Sequence, residues 1–231
     1  MPHALITGAS RGFGRALLTA LVDRGWTATV DARDAAALHT ATADLAGVRA
    51  VPGDVTDPAH RAALVAAVGD RLDLLVHNAS ALGPSPLPPL ADHPLDALRH
   101  VYETDTFAPL ALTRLALPAL RRAAQDGRPA TVVTLSSDAA VEAYPGWGGY
   151  GSAKAALDHL AAVLAVEHPE LAVYAFDPGD MRTAMHQAAF PGEDISDRPE
   201  PTTVVPALLR LLARRPASGR YRAADLLATA R

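Results

Sequence analysis

Apolar residues follow two alternating rhythms along the chain. Short, nearly unbroken apolar runs are "ALIT" (4–7), "TATVDA" (27–32), "VRAVPGDV" (48–55), "LDLLVHN" (72–78), "ATVVTLSS" (130–137) and "LAVYAFDPG" (171–179), and "GRYRA" (219–223) reads as a short final strand. Between them, apolar positions recur every three or four residues at 14–25, 34–47, 57–71, 95–125, 149–168 and 202–215. The first pattern is that of strands covered on both faces, the second that of amphipathic helices. Their alternation predicts an α/β fold, a parallel sheet with helices on both sides. The region 95–125 has room for two helices. A Pro-rich loop (83–94) and a polar segment (180–201) interrupt the rhythm. No repeat or linker divides residues 1–231, which predicts one domain.

Composition narrows the function classes. The net charge is −4 and no basic stretch occurs, which speaks against a nucleic-acid partner. No apolar run reaches the roughly 18–20 residues of a membrane span. The opening "MPHALITGAS" lacks the charged and apolar regions of a signal peptide, so a cytoplasmic setting is expected. There is no cysteine, which excludes disulfides and thiolate metal sites. The nine histidines show no metal-ligand spacing such as H-E-x-x-H, so no metal is expected.

The first strand leads into "TGASRGFG" (7–14), with Gly8, Gly12 and Gly14 spaced G-x-x-x-G-x-G. Such a turn brings backbone close to a phosphate and aims a helix N-terminus at it. A glycine-rich turn without a ligand is the alternative. The second strand ends Val30-Asp31-Ala32-Arg33-Asp34. A carboxylate there suits ribose hydroxyls, and arginines suit a 2′-phosphate. Arg33 and Arg11 favour NADP(H); Asp31 and Asp34 keep NAD(H) open. Strand alternation turns Asp31 away from Ala32. Asp54, in "GDV" (53–55), is placed to meet an adenine edge.

Of the 21 lysines and arginines, one is lysine, and it lies in "YGSAK" (150–154). Residues i and i+4 share a helix face, so Tyr150 and Lys154 point together. A phenol titrates near pKa ~10, and a neighbouring ammonium lowers that value toward the range of general acid–base catalysis. A compact ammonium fits beneath a phenol where a planar guanidinium would not. Ser137 ends a strand at the carboxyl edge of the sheet, where ligands bind, and can hydrogen-bond a reacting oxygen. Alternation sends Ser136 to the other face.

With "TGASRGFG", "GDV", "HNAS" (77–80), Ser137, "YGSAK" and "PGDMRT" (178–183) in place, the chain resembles the short-chain dehydrogenase/reductase superfamily over its full length. The resemblance implies a Rossmann-type doubly wound sheet of about seven strands. It implies hydride transfer between NAD(P)(H) and a small carbonyl or alcohol. It makes Tyr150 the acid–base, Lys154 its pKa modulator and ribose ligand, and Ser137 the orienter of substrate oxygen. It places Gly8, Ser10, Arg11, Gly12, Phe13, Gly14, Arg33, Asp54 and Val55 around the cofactor. Asn78, Ala79 and Ser80 match a turn beside it, Ser80 standing where the family has glycine. Pro178, Gly179, Met181 and Thr183 match the loop holding the nicotinamide.

Asp105 falls where an asparagine usually completes a proton relay. A carboxylate there could pair with Lys154 or join the relay. The segment 181–201 matches the substrate lid, with Met185, His186 and Phe190 as lining candidates. Tyr144 and Trp147 wall the cleft or pack in the core. Relatives usually form homodimers or homotetramers through the helices near 104–125 and 150–167. Two other readings on the same fold are a dinucleotide-sensing regulator and an epimerase or dehydratase.

Overall fold

The computed structural model describes residues 1–125, 127 and 130–228. Among them, seven strands form one sheet: β1 (His3–Ile6), β2 (Thr27–Val30), β3 (Val48–Ala50), β4 (Leu74–His77), β5 (Thr131–Leu135), β6 (Ala172–Asp177) and β7 (Gly219–Arg222). Their order is β3-β2-β1-β4-β5-β6-β7 and every pairing is parallel. The chain starts in the middle, winds out to β3, then returns past β1 toward β7. The reversal between β1 and β4 opens a crevice at the carboxyl ends of the strands, where ligands of doubly wound sheets bind.

The unbroken apolar strands are explained by burial on both faces. Ala4 and Ile6 pack on one side with Leu17, Leu18, Leu208 and Leu211. Leu5, between them, packs on the other with Leu64, Leu112 and Leu120. Helices α1 (Gly12–Val22), α2 (Ala35–Thr42), α8 (Pro201–Arg214) and α9 (Ala223–Ala228) cover the first face. Helices α3 (Pro58–Val68), α5 (Ala108–Ala124) and α6 (Gly148–Glu167) cover the second. Asp34 and Asp57 cap α2 and α3 by accepting from backbone N–H groups.

Three differences from the sequence pattern have local causes. The strand expected over 48–55 pairs regularly only at Val48–Ala50. Beyond it Val51 and Gly53 still donate to the Val30 and Ala32 carbonyls, and Pro52, on this edge strand, turns the position of its missing N–H away from β2. The helical region 95–125 is α4 (Leu95–Tyr102) and α5, joined by a π turn over Glu103–Phe107. Pro109 has no N–H for the carbonyl four residues back, that of Asp105, and the widened turn accommodates this. The polar segment 180–201 contains a six-residue helix, α7 (Ala184–Ala189), too short to show a period.

Candidate active site

The glycine turn links β1 to α1 at the crevice. Asn78, just past β4, donates from its amide to the carbonyls of Thr7 and Gly8 at 2.8 and 3.0 Å. The Thr7 hydroxyl accepts from the backbone N–H groups of Asn78 and Ala79, each at 3.0 Å. A Cβ on Gly14 would stand 2.4 Å from the Asn78 amide nitrogen, so only glycine lets α1 approach this clamp. Asn78 thus braces the turn with its side chain. Thr7 opens the "TGASRGFG" motif, but its contact lies some seventy residues away in sequence.

The end of β2 resolves the ambiguity left by its two carboxylates. Asp31 is fully buried; it accepts from the Gly8 N–H at 2.8 Å and pairs with His60 at 3.0 Å. Asp34 is occupied as the α2 cap, accepting from the Ala37 N–H. Arg33 and Arg11 are exposed at this edge. Asp54 accepts from both the N–H and the hydroxyl of Thr56 at 2.9 Å. Arg33 adds a positive field that helps hold the Asp54 carboxyl below its usual range, behind the Thr56 hydrogen bonds and against desolvation. Val55 is buried beside Asp54. Ser10 and Phe13 lie in the turn, and Phe13 stacks on Phe176 with centroids 5.9 Å apart.

Tyr150 and Lys154 sit one turn apart on α6, both buried. The Lys154 ammonium lies 5.4 Å from the Tyr150 ring centroid and donates to the Leu135 carbonyl at 3.0 Å. Leu135 ends β5, two residues before Ser137, so this bond ties the lysine to the strand that carries the serine. Gly151 allows the approach: a Cβ there would be 2.5 Å from the Ala139 carbonyl oxygen. Ser137 donates to Asp138 at 3.0 Å and accepts from the Ala139 N–H at 3.2 Å. Ser136 donates to Asp158, on the same helix as Tyr150 and Lys154, at 2.7 Å.

The electrostatics correct one expectation. The sequence predicts a Tyr150 phenol made more acidic; in the structure its pKa is raised. Burial drives it up, the Lys154 ammonium and the Ser80 hydroxyl draw it down, and the Asp105 and Asp138 carboxylates push it up again. Burial works against the Lys154 charge, but Tyr150, Asp105 and Asp158 outweigh it and hold its pKa above the ordinary value. Lys154 is an ammonium at neutral pH and Tyr150 a protonated phenol.

Asp105 is fully buried in the π turn. It does not pair with Lys154 directly. It accepts from the Ala81 N–H at 2.7 Å and from the Ser80 hydroxyl at 3.1 Å. Burial raises its pKa, opposed by Lys154 and these two donors. Ser80, noticed in the sequence only as a replaced glycine, therefore stands between Asp105 and Tyr150.

An apolar cluster of Leu82, Leu87, Ala139, Trp147, Met185 and Phe190 closes over Tyr150. Trp147 meets Tyr150 edge-on at 5.8 Å and Phe190 at 5.9 Å. Tyr144 lies outside this cluster, exposed, with its hydroxyl donating toward Asp138 and Glu142; its pKa is pushed up to about 12 by those acids. His186 is buried and its Nε2 has no hydrogen-bond partner. Thr183 caps α7, Met181 packs against the core beside it, and the Gly179 N–H donates to Asp177 at 2.9 Å after Pro178. Arg220 and Asp158 also reach this edge of the sheet. Neither stood out in the sequence, since both belong to ordinary-looking amphipathic or strand patterns.

A family model for short chain dehydrogenase matches residues 2–194. The 3-oxoacyl-[acyl-carrier-protein] reductase of rhamnolipid biosynthesis from Pseudomonas aeruginosa is 33% identical over 171 residues, which cover 71% of this chain and 66% of that enzyme. Sepiapterin reductase from Mus musculus is 33% identical, covering 80% of this chain and 76% of that one. A short chain dehydrogenase from Shigella flexneri complexed with NADP superposes with a TM-score of 0.88 at 26% identity, covering 96% of this chain and 97% of that one. One from Escherichia coli complexed with NADPH gives 0.86 at 26% identity, covering 96% of each.

Proposed function

The chain belongs to the short-chain dehydrogenase family, and on that footing we propose that it is an NADP(H)-dependent oxidoreductase acting on a carbonyl/alcohol pair, with Tyr150 as its acid–base. The observation that carries this is the buried Tyr150–Lys154 pair, with the ammonium 5.4 Å from the phenol ring and anchored to the strand that bears Ser137. Turnover of NADPH with a panel of ketones, aldehydes and quinones, lost in Tyr150→Phe, tests it. Tight NADPH binding without turnover on that panel would instead identify a dinucleotide sensor.

The residues fit a dinucleotide. A Cβ on Gly12 would come into van der Waals contact with the Thr183 methyl at 3.7 Å, so the glycine turn and the 178–183 loop adjoin. Gly8, Ser10, Arg11, Gly12, Phe13 and Gly14 would carry its phosphates, with the α1 N-terminus behind them. Asp54 and Val55 would take the adenine, Ala79 and Lys154 the nicotinamide ribose, and Pro178, Gly179, Met181 and Thr183 the carboxamide. With Asp31 and Asp34 committed elsewhere, Arg33 and Arg11 are the charged groups left for a 2′-phosphate. The cofactor, when bound, supplies or accepts the hydride at its nicotinamide ring.

The chain's own residues handle the oxygen and its proton. The Ser137 hydroxyl turns from Asp138 to donate to the substrate carbonyl, and Tyr150 transfers its phenolic proton to the same oxygen. Lys154 stabilises the phenolate that remains, and its Leu135 hydrogen bond fixes its position. Ser80 and Asp105 lie close to the phenol, the Ser80 hydroxyl drawing its pKa down and the Asp105 carboxylate pushing it up. Leu82, Trp147, Met185 and Phe190 exclude water and present an apolar, aromatic wall, so the favoured substrate carries an apolar body next to its carbonyl. Tyr144, with Asp138 and Glu142, gives the cleft mouth a polar rim.

Self-association through α5 and α6 fits their exposed apolar side chains, Leu110, Leu115, Val163 and Val166. Sedimentation velocity would show a homodimer or homotetramer, and a monomer would refute this.

A further inference from the structure

The last strand places one guanidinium under three parts of the site. Arg220 of β7 donates from Nη2 to the Ser137 carbonyl at 2.9 Å and to Asp177 at 2.9 Å. Its Nε donates to Asp158 at 3.2 Å. Asp158 also accepts from the Ser136 hydroxyl at 2.7 Å. It lies one turn beyond Lys154 on α6, so Tyr150, Lys154 and Asp158 follow at i, i+4 and i+8 on one face. Asp177 in turn accepts from the Gly179 N–H at 2.9 Å, at the start of the 178–183 loop. The side chains of Arg220, Asp158 and Asp177 are 25%, 15% and 4% exposed, so these bonds are shielded from water.

The register of the sheet explains the reach. Arg220 pairs with Ala175, and Asp177 is two residues further on the same face of β6. That face carries α6, whereas Tyr221 turns to the opposite side and meets Tyr174 edge-on at 5.7 Å. Five donors in a rigid fork can serve one carbonyl and two carboxylates at once; an ammonium on a flexible stem cannot span them. One positive charge between two carboxylates also offsets their mutual repulsion, which would otherwise drive the end of β6 from α6.

We propose that Arg220 is the positioning residue that locks Ser137, α6 and the 178–183 loop into one rigid unit, coupling the substrate-oxygen site to the cofactor loop. This rests on the oxidoreductase reading for the role of Ser137. Freed of Arg220, the Ser137 backbone and the loop would relax independently. Displacement of a reacting group by about 1 Å costs on the order of a hundredfold in rate.

The test compares Arg220→Met, which keeps length without donors, with Arg220→Lys and wild type, each first shown to be folded by thermal melting. Backbone hydrogen exchange, which needs neither cofactor nor substrate, should rise in Arg220→Met at both 137–141 and 178–183. In turnover, kcat should fall roughly tenfold to a hundredfold with a smaller change in carbonyl KM, Arg220→Lys should recover part of it, and the Kd for NADPH should rise. On a Ser137→Ala background the same substitution should lower kcat by much less, because the serine it positions is gone. Unchanged exchange at both segments would overturn the proposal. Equal losses of kcat with and without the Ser137 hydroxyl would overturn it too. If wild type turns over no carbonyl at all, the oxidoreductase reading fails, while the exchange arm still decides whether Arg220 couples the two segments. Should Arg220→Met not fold, the exchange and kcat of Arg220→Lys decide alone: wild-type values for both would overturn the proposal, and intermediate losses at both segments would support it.

Discussion

Replacing Arg33 with alanine tests how the site chooses its dinucleotide. Asp31, two residues before Arg33, is buried and engaged by the Gly8 N–H and His60. It cannot turn to a ribose without leaving His60 unpaired. Arg33 is exposed, with Asp54 in its field. A hydrogen bond to a charged group contributes about 1.5–3 kcal/mol, and partial solvent exposure with the nearby carboxylate favours the lower end. The loss of about 1.5–2 kcal/mol corresponds to a roughly tenfold to thirtyfold fall in kcat/KM for NADPH. The value for NADH, which lacks the 2′-phosphate, should move by no more than about twofold. Initial rates with both cofactors at constant ionic strength give the ratio. Asp31→Asn is the control: it should lower Tm and weaken both cofactors alike, because it loosens the glycine turn. Equal losses for the two cofactors in Arg33→Ala, or a selective loss of NADH in Asp31→Asn, would refute the assignment of these side chains.

Asp105→Asn preserves the shape of its site, since an amide can still meet Ser80 and the Ala81 N–H, but it removes a carboxylate that faces Tyr150 and Lys154 from the π turn. His100 on α4, Asp138 and Asp158 remain as titratable neighbours that act on this site. Asp105 raises the phenol's pKa, so its removal should move the falling limb of the reductive pH–rate profile to lower pH; an unmoved limb would take Asp105 out of the relay. His77 is buried, with its Nε2 2.7 Å from the Thr113 hydroxyl, and burial together with Lys154 lowers its pKa to about 3. The unfolded chain binds a proton here from about pH 6.5 downward while the folded chain does not, so stability falls as pH drops through that window, by about 2 kcal/mol between pH 7 and 5. Urea denaturation should show a shallower acid loss in His77→Gln, and an identical slope would show that another group dominates.

How much of this could be read from the chain itself depends on the distance over which each feature is built. The central strands were visible because burial on both faces makes nearly every position apolar, and Leu5 between Ala4 and Ile6 needs no partner identity to be read so. The Tyr150–Lys154 pair was visible because one helical turn fixes it. The glycine turn was legible for the same reason, being local. The Thr7–Asn78 clamp, the Asp31–His60 pair and the Arg220 bonds to Ser137 and Asp158 join residues from 29 to 83 positions apart. No local pattern carries them. The π turn was foreseen only as a break between two helices, because the missing N–H of Pro109 shows where a hydrogen bond fails but not which way the chain widens. The sign of the Tyr150 shift was misread for a related reason: the lysine was visible in the sequence, whereas the depth of burial that outweighs it was not.

That sign bears on the direction of the chemistry. A phenol whose pKa is raised holds its proton at neutral pH, and the ammonium beside it is also protonated. Reduction of a carbonyl needs a proton donor at the oxygen, and the site presents one ready. Oxidation of an alcohol needs the phenolate, which here must be formed against burial and against the Asp105 carboxylate. The two directions should therefore respond oppositely to pH. Reduction should be flat across neutrality and fall only as Tyr150 deprotonates, while alcohol oxidation with NADP should climb from neutrality upward. Lys154→Met should push both limbs further to alkaline pH, since the ammonium is the largest influence drawing the phenol down. Measured profiles that fell together, or an oxidative rate already maximal at pH 7, would mean that the phenol loses its proton near neutrality and that Lys154 prevails over burial.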